Sequence, residues 1–348
     1  MAVSSSLISK IISGGLWSFS LRIVSRGMGL IRTIILARFL FPEDFGQIGI
    51  VITILTLLDC FSQFGFSQAL IQRKDHDEQY LDTIWTASLI RSVMLFTVVF
   101  GAAPLVATFF EIDRLAAIMR AVAVSVLLGG FTNVGVVLLQ KELNFKKIFL
   151  FESISSFAEL TVSLTAAYYL RNVWALVFGG ITVNLSRLLL SYLLSPYRPS
   201  LRIDMAKFNE LFKFGRWVLF SGVVITMITQ GDSIFVGKVF GATALGYYQM
   251  AFLISNLLAT EITNTVSQVV FPSYSQIRED GQRIKEAFFR VFQFIVVISF
   301  PLSAGILVLS AEFSQLFLGE KWNGIVPLIQ IMSILFSLRA FGGTAIAL

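Results

Sequence analysis

Residues Gly15–Leu40 read GLWSFSLRIVSRGMGLIRTIILARFL. Arg22, Arg26 and Arg32 interrupt a run otherwise dominated by Leu, Ile, Val, Phe, Ser and Gly. A helix of about 20 apolar residues is what crosses roughly 30 Å of hydrocarbon. A guanidinium within such a helix costs at least ~2.5 kcal/mol on insertion scales, so it must face water, a counter-charge or an anion. On a helical wheel Arg22, Arg26, Gly29 and Thr33 fall within about 60° of one another, and Arg32 lies at the edge of that face. Arg22 is also roughly 18 Å beyond Lys10 along the axis, too deep for easy snorkelling. The stretch reads as a membrane helix with a cationic face turned away from lipid.

The rest of the chain agrees with the first part of that reading. Of 348 residues, 56% are hydrophobic and only 14% charged, and the mean hydropathy is +0.80. A soluble domain has about 45–50% apolar and about 25% charged residues. The net charge of +6 does not indicate a nucleic-acid partner, because the basic residues sit in short loops between apolar runs, as the positive-inside bias of membrane proteins requires. One cysteine, Cys60, and one histidine, His76, leave no internal disulfide and no metal or haem cluster to expect. No nucleophile–base set and no phosphate-binding loop is present, so neither a cofactor nor enzymatic catalysis is expected. The N-terminus MAVSSSLISK has no basic n-region and no cleavage site, and the first helix is expected to stay on the protein.

Ten apolar runs long enough to span can be counted, at about 11–39, 46–70, 82–110, 115–139, 148–170, 173–194, 213–240, 246–271, 287–311 and 325–346. Backbone groups must pair internally in lipid, and runs this long and uniform are helices rather than barrel strands. With the N-terminus inside, Lys and Arg at the membrane edges favour the cytoplasmic side three to one; only Arg38, Arg114, Arg171, Lys238 and Lys321 fall outside. The expected fold is therefore all-α: a multi-pass membrane protein with a cytoplasmic N-terminus and about ten transmembrane helices. The sequence stops as the tenth run ends, and further C-terminal helices are expected to be missing.

A shift of 200 residues superposes the first run on the seventh without a gap. Gly15 meets Gly215, Trp17 meets Trp217, Gly46 meets Gly246, Leu57-Leu58 meets Leu257-Leu258 and Ser67-Gln68 meets Ser267-Gln268. Six spans separate the copies, an even number, so both point the same way. Such a parallel repeat belongs to transporters whose two lobes rock about a central cavity. The expected lobes are 1–197, with six helices, and 198–348, with four, joined on the cytoplasmic side by SPYRPSLRID (195–204).

Other runs carry polar faces. Asp59 and Gln63 lie one turn apart. Glu152, Ser156, Glu159 and Ser163 form a stripe, as do Glu261, Asn264 and Gln268. Asp232 aligns by the repeat with Arg32, and Arg91 and Arg187 sit in the third and sixth runs. A polar stripe in an apolar helix turns away from lipid, so these helices surround something polar. Arg22, Arg26, Arg32 and Arg91 are candidate anion ligands, with Gln63, Asn264 and Gln268 as polar lining. Arginine stays protonated, so a coupling proton would need an acid, and Asp59, Glu159, Asp232 and Glu261 are the candidates. Pairing of these acids with arginines as structural staples is an equally open reading. Arg120 is expected to be packed or snorkelling, and Cys60 to be a small buried hydrophobe.

FPEDFGQIGI, GFSQALIQRKD, LQKELNFKK, FGATALGYYQMAFLISNLLATE and VVFPSYSQIRED resemble the polysaccharide exporters and flippases of the multidrug/oligosaccharidyl-lipid/polysaccharide superfamily. The likeness is to the Wzx-type branch near colanic acid and succinoglycan exporters, and it runs along essentially the whole chain. It implies twelve to fourteen helices in two six-helix lobes. The implied activity is alternating-access transfer of undecaprenyl-pyrophosphate-linked oligosaccharide to the outer leaflet of the bacterial inner membrane, driven by an ion gradient or membrane potential. Implied partners are that lipid-linked substrate, membrane lipids, and a polysaccharide polymerase with its chain-length regulator. Ser25, Arg26, Gly29, Arg32, Ala37 and Arg38 also look like the first helix of the related lipid II flippases, patterned S-R-x-x-G-x-x-R-D-x-x-x-A-R. The first-helix arginines of those relatives line the cavity and are required for transport, which implies that role for Arg26 and Arg32. Thr33 stands where they have an acid, leaving the arginines without their nearest partner and arguing against lipid II as cargo. The alternatives are a multidrug/cation antiporter of the same superfamily, disfavoured by the first-run arginines, and a membrane polymerase or glycosyltransferase, disfavoured by the short outer loops.

Overall fold

A computed structural model describes residues 24–62, 78–142, 144–276 and 281–345; within them, the side chains of 78–79, 140, 206–218, 257–276, 281–284, 286–287 and 338–345 are left undescribed. The elements are helical, with no strand among the described residues. In chain order they are α1 (24–39), α2 (Pro42–Cys60), α3 (Glu78–Phe110), α4 (Arg114–Gly130), α5 (Val136–Lys141), α6 (Phe145–Leu170), α7 (Trp174–Leu194), α8 (Met205–Gln276), α9 (Gly281–Phe313) and α10 (Val326–Ala345). Among the described residues, five stretches are long and apolar enough to cross a membrane: Tyr80–Phe110, Phe145–Leu170, Trp174–Leu194, Leu219–Asn256 and Phe288–Leu318. The runs expected at 11–39 and 46–70 extend beyond the described residues. This is a multi-pass helical membrane protein.

Two compact units make up the chain, one of Met1–Leu40 with Gln47–Ala242, the other of Phe41–Gly46 with Thr243–Leu348. In the first, α3 packs on α4, α4 on α7, and α6 on α7. Small residues set the closeness of these contacts, as helices without a hydrophobic drive between them require. A Cβ on Gly130 would collide with the side chain of Ser92, and one on Gly179 would stand 2.9 Å from the Ser163 Cβ.

The fourth run does not form the single helix expected over 115–139. Helix α4 ends at Gly130, and a turn separates it from the short α5. The cause is Asn133, only 1% exposed. Its Oδ1 accepts from the Gly135 N–H (2.8 Å), its own N–H donates to Ser191 Oγ (2.9 Å), and its Nδ2 donates to the Tyr197 carbonyl (2.7 Å). A side chain that satisfies the backbone locally competes with the helix, and here it wins.

Helix α8 spans the seventh and eighth runs, broken at Gly241 (φ 84°, ψ 175°), which lies in the gap expected between those runs. Only glycine adopts that conformation without strain. The boundary between the two units follows one residue later, after Ala242.

The second unit is built on Trp322, fully buried. Its ring meets Phe45 (centroids 5.3 Å apart) and Tyr247 (5.9 Å) edge-on, the arrangement that the aromatic quadrupole favours. Tyr247 Oη donates to the Lys321 carbonyl (3.0 Å), and the Lys321 ammonium lies 4.1 Å from the Phe41 ring centroid. Helix α2 starts with Pro42, whose missing N–H costs nothing at that position, and Asp44 Oδ2 accepts from the Phe41 N–H at 2.9 Å. Gly246 packs directly on this start: a Cβ there would run into the Pro42 carbonyl, with the Gly46 nitrogen 3.1 Å away. The repeat-matched glycines 46 and 246 thus face one another.

Candidate functional site

Two of the candidate ligands, Arg32 and Arg91, pair with two of the candidate coupling acids, Glu159 and Asp59, in the first unit. Arg32 on α1 forms an ion pair with Glu159 on α6. Arg91 on α3 donates from Nη2 to Asp59 Oδ1 on α2 at 2.9 Å. A third pair joins α7 to α6, Arg187 Nη2 to Glu152 Oε2 at 2.7 Å. Glu152 and Glu159 are two helical turns apart on α6, so one face of that helix holds an arginine from each of two neighbours.

The pairs are only partly exposed, at 26% and 21% for Arg32 and Glu159. Their worth is not chiefly stability, because desolvation offsets much of the attraction. Two of the three also leave hydrogen-bonding capacity unused: the Nε of Arg32 and of Arg187 are buried without a partner. A guanidinium offers five donors in a planar fork suited to carboxylate and phosphate oxygens. Arg32 and Arg187 are therefore neutralised without being saturated.

Thr33, in place of the acid of the lipid II flippases, donates to the Gly29 carbonyl in its own helix at 2.9 Å. Arg32 is nevertheless not left without an acid, since Glu159 supplies one from another helix. Arg26 is exposed on α1 and has contacts of its own. Asp232 is exposed on α8, where its Oδ1 accepts from the Ser233 N–H at 2.7 Å. Arg22 and Gln63 lie outside the described residues, and Glu261, Asn264 and Gln268 lie on α8 with side chains outside the description. The Arg120 guanidinium sits 5.2 Å from the Phe100 ring centroid, packed as expected. Cys60 is buried, its Sγ 2.9 Å from the Leu57 carbonyl.

One charged residue escaped the sequence reading. Asp82, 8% exposed, accepts hydrogen bonds from Tyr197 Oη, the Ser200 N–H (2.9 Å) and Ser200 Oγ (2.5 Å). An acid at the first turns of a spanning run normally reads as interfacial, and nothing local points to partners 115 residues away.

Residues 35–327 match the family described as polysaccharide biosynthesis protein. The chain belongs to that family. It is 26% identical over 339 residues to the lipopolysaccharide biosynthesis protein WzxC of Escherichia coli K12, covering 97% of this chain and 69% of WzxC. With the teichuronic acid biosynthesis protein TuaB of Bacillus subtilis it shares 29% identity, over 79% of this chain and 57% of TuaB. With the succinoglycan biosynthesis transport protein ExoT of Rhizobium meliloti the figures are 22%, 91% and 64%. The fold is that of the MATE transporters of the MOP superfamily. It matches an inward-facing MATE multidrug resistance transporter with a TM-score of 0.71 at 15% identity, over 92% of this chain and 79% of that one. It matches the MATE multidrug transporter DinF-BH with a TM-score of 0.65 at 13% identity, over 97% of this chain and 81% of that one.

Proposed function

We propose that this family member is a flippase carrying undecaprenyl-pyrophosphate-linked oligosaccharide across the bacterial inner membrane for surface polysaccharide export. The observation that carries the reading is the cross-helix pairing of Arg32 with Glu159 and Arg91 with Asp59. A transporter must visit a state without cargo, and an unpaired arginine in a low-dielectric cavity would be costly then. A carboxylate partner neutralises it. A diphosphate, with two or more acceptor oxygens in fork geometry, competes for the same guanidinium.

The paired acids, Asp59 and Glu159, are also where a coupling ion would act. Protonating the carboxylate releases its arginine to the diphosphate, and deprotonation reclaims it. Asp232 and Glu261 are further candidates by position. Arg22 and Arg26 extend the cationic face, while Gln63, Asn264 and Gln268 offer hydrogen bonds to sugar hydroxyls. Two lobes, 1–197 and 198–348, would alternate access with the N-terminus in the cytoplasm, delivering cargo to a polymerase and its chain-length regulator. No bond is made or broken, so the reading is transport and not enzymatic catalysis. The MATE likeness speaks for the fold and leaves the cargo to the arginines, which suit an anion rather than a cationic drug.

The test is complementation of a strain lacking its lipid-linked oligosaccharide exporter. Arg32→Ala and Arg91→Ala should each abolish surface polysaccharide at normal protein level, as should Arg22→Ala and Arg26→Ala. Normal export by all four would overturn the anion-cavity reading.

A further inference from the structure

The pair Arg187–Glu152 has no part in the mechanism just described, yet it shares helix α6 with the pair Arg32–Glu159. Glu152 stands seven residues after the start of α6 at Phe145, and Arg187 seven before the end of α7 at Leu194. Both therefore lie roughly 10 Å in from the same end of this helix pair, and Glu159 lies roughly 10 Å further along α6. Glu152, Ser156, Glu159 and Ser163 share one face of α6, within about 60° on a helical wheel. Leu150, Ile154 and Phe157 are exposed on the opposite side of that helix. On α7, Phe178, Leu185 and Leu189 are exposed, and they stand about 160–200° round from Arg187. The lipid-facing sides of both helices thus point away from the pair. Arg187 spends one donor, Nη2, on Glu152. Its Nε is buried without a partner, while 40% of the side chain is exposed. A pair that only fastened two helices would gain most from a bidentate, fully bonded fork. This one is singly bonded and reachable.

We infer that Arg187 is a second anion site, which takes the diphosphate of the cargo before Arg32 does, with Glu152 holding its place when cargo is absent. This rests on the flippase reading and adds a substrate contact to it. The two sites are rungs on one face of α6, with the Ser156 hydroxyl between them. Their carboxylates are two helical turns apart, so they serve one diphosphate in succession. With the N-terminus in the cytoplasm, α6 begins on the cytoplasmic side, and cargo entering from there meets Arg187 first. A charge crossing roughly 30 Å of hydrocarbon meets a high barrier if no counter-charge lies along the way. Rungs roughly 10 Å apart keep a guanidinium close at each stage of the inner part of that path.

The test is equilibrium binding of undecaprenyl pyrophosphate to the full chain in phosphatidylcholine nanodiscs, with undecaprenol, which lacks the diphosphate, as the control. Glu152→Gln is nearly isosteric and removes the competing charge, so it should bind the diphosphate about tenfold tighter than the unmutated chain. Arg187→Gln should bind it about tenfold more weakly, the effect of losing one charge-assisted hydrogen bond. The same drop should persist on an Arg32→Ala background, because the rungs are separate. Undecaprenol binding should not change in any variant. Diphosphate affinity unchanged in both Glu152→Gln and Arg187→Gln would make the pair a staple and overturn the inference. Should Arg187→Gln not fold, Glu152→Gln alone decides, since the loss of a staple cannot strengthen binding. The two readings fail differently. An unmutated chain with no preference for the diphosphate over undecaprenol removes the flippase reading and this inference with it. A preference lost in Arg32→Ala but untouched by Arg187→Gln and Glu152→Gln removes this inference alone.

Discussion

Arg32 and Glu159 show what a single residue can and cannot disclose. That a cation stood in an apolar helix was evident from sequence, because its insertion cost demands an explanation. That its acid would come from α6, far along the chain, was not. The swap Arg32→Glu with Glu159→Arg tests whether the pair only staples helices. It should keep the protein level while export stays at least about tenfold down, since a reversed pair aims the guanidinium from the wrong helix. Recovery of export in the swap would favour a staple. Glu111 makes a second prediction. The Lys238 ammonium hydrogen-bonded to it holds its carboxyl below the ordinary carboxylate range. A depressed acid contributes above its ordinary value of about 4.3 and loses that contribution as pH falls through its depressed one. The distance between nitroxide labels at Thr97 on α3 and Thr229 on α8, both exposed, read by electron spin resonance on a Cys60→Ser background, should therefore be constant from neutral pH down to the ordinary carboxylate range and broaden below it. In Glu111→Gly the acid step should be missing.

Elements were largely legible where hydropathy alone decides them. The ends of α3, α6 and α7 lie within a few residues of the expected runs, and the break at Gly241 falls in the gap between the seventh and eighth. The fourth run failed because Val134, Val137 and Leu138 keep an apolar pattern through the turn, while the partners of Asn133 come from α7 and the linker. Glycines were equally ambiguous as a class. In the pair Gly179-Gly180, the first faces Ser163 and the second has nothing within 4 Å. Gly179→Ala should destabilise by about 1–3 kcal/mol, the usual cost of overpacking. Gly180→Ala should be neutral or slightly stabilising, as helix propensity predicts. Thermal unfolding of the full chain in detergent distinguishes the two, and equal shifts would contradict the packing described.

At the scale of the whole molecule, the repeat was visible as matched glycines, and the structure supplies a reason for one pair in the contact of Gly46 with Gly246. Trp322 carries the adjoining core. Trp322→Ala should cost about 3–5 kcal/mol, as removal of a buried aromatic does. Protease should then cut within 243–345 first, while the 97–229 distance in the first unit stays narrow. Simultaneous loss of both would mean that the two units do not respond separately. By itself the sequence determined a helical, multi-pass membrane protein with cationic and acidic residues placed where lipid forbids them, because hydropathy and charge act locally along the chain. Which arginine neutralises which acid, where the fourth run breaks, and how the linker is clasped to Asp82 were decided only by tertiary structure. Those interactions join residues tens to more than a hundred positions apart, and their energies depend on distances of a few ångströms that no local pattern encodes.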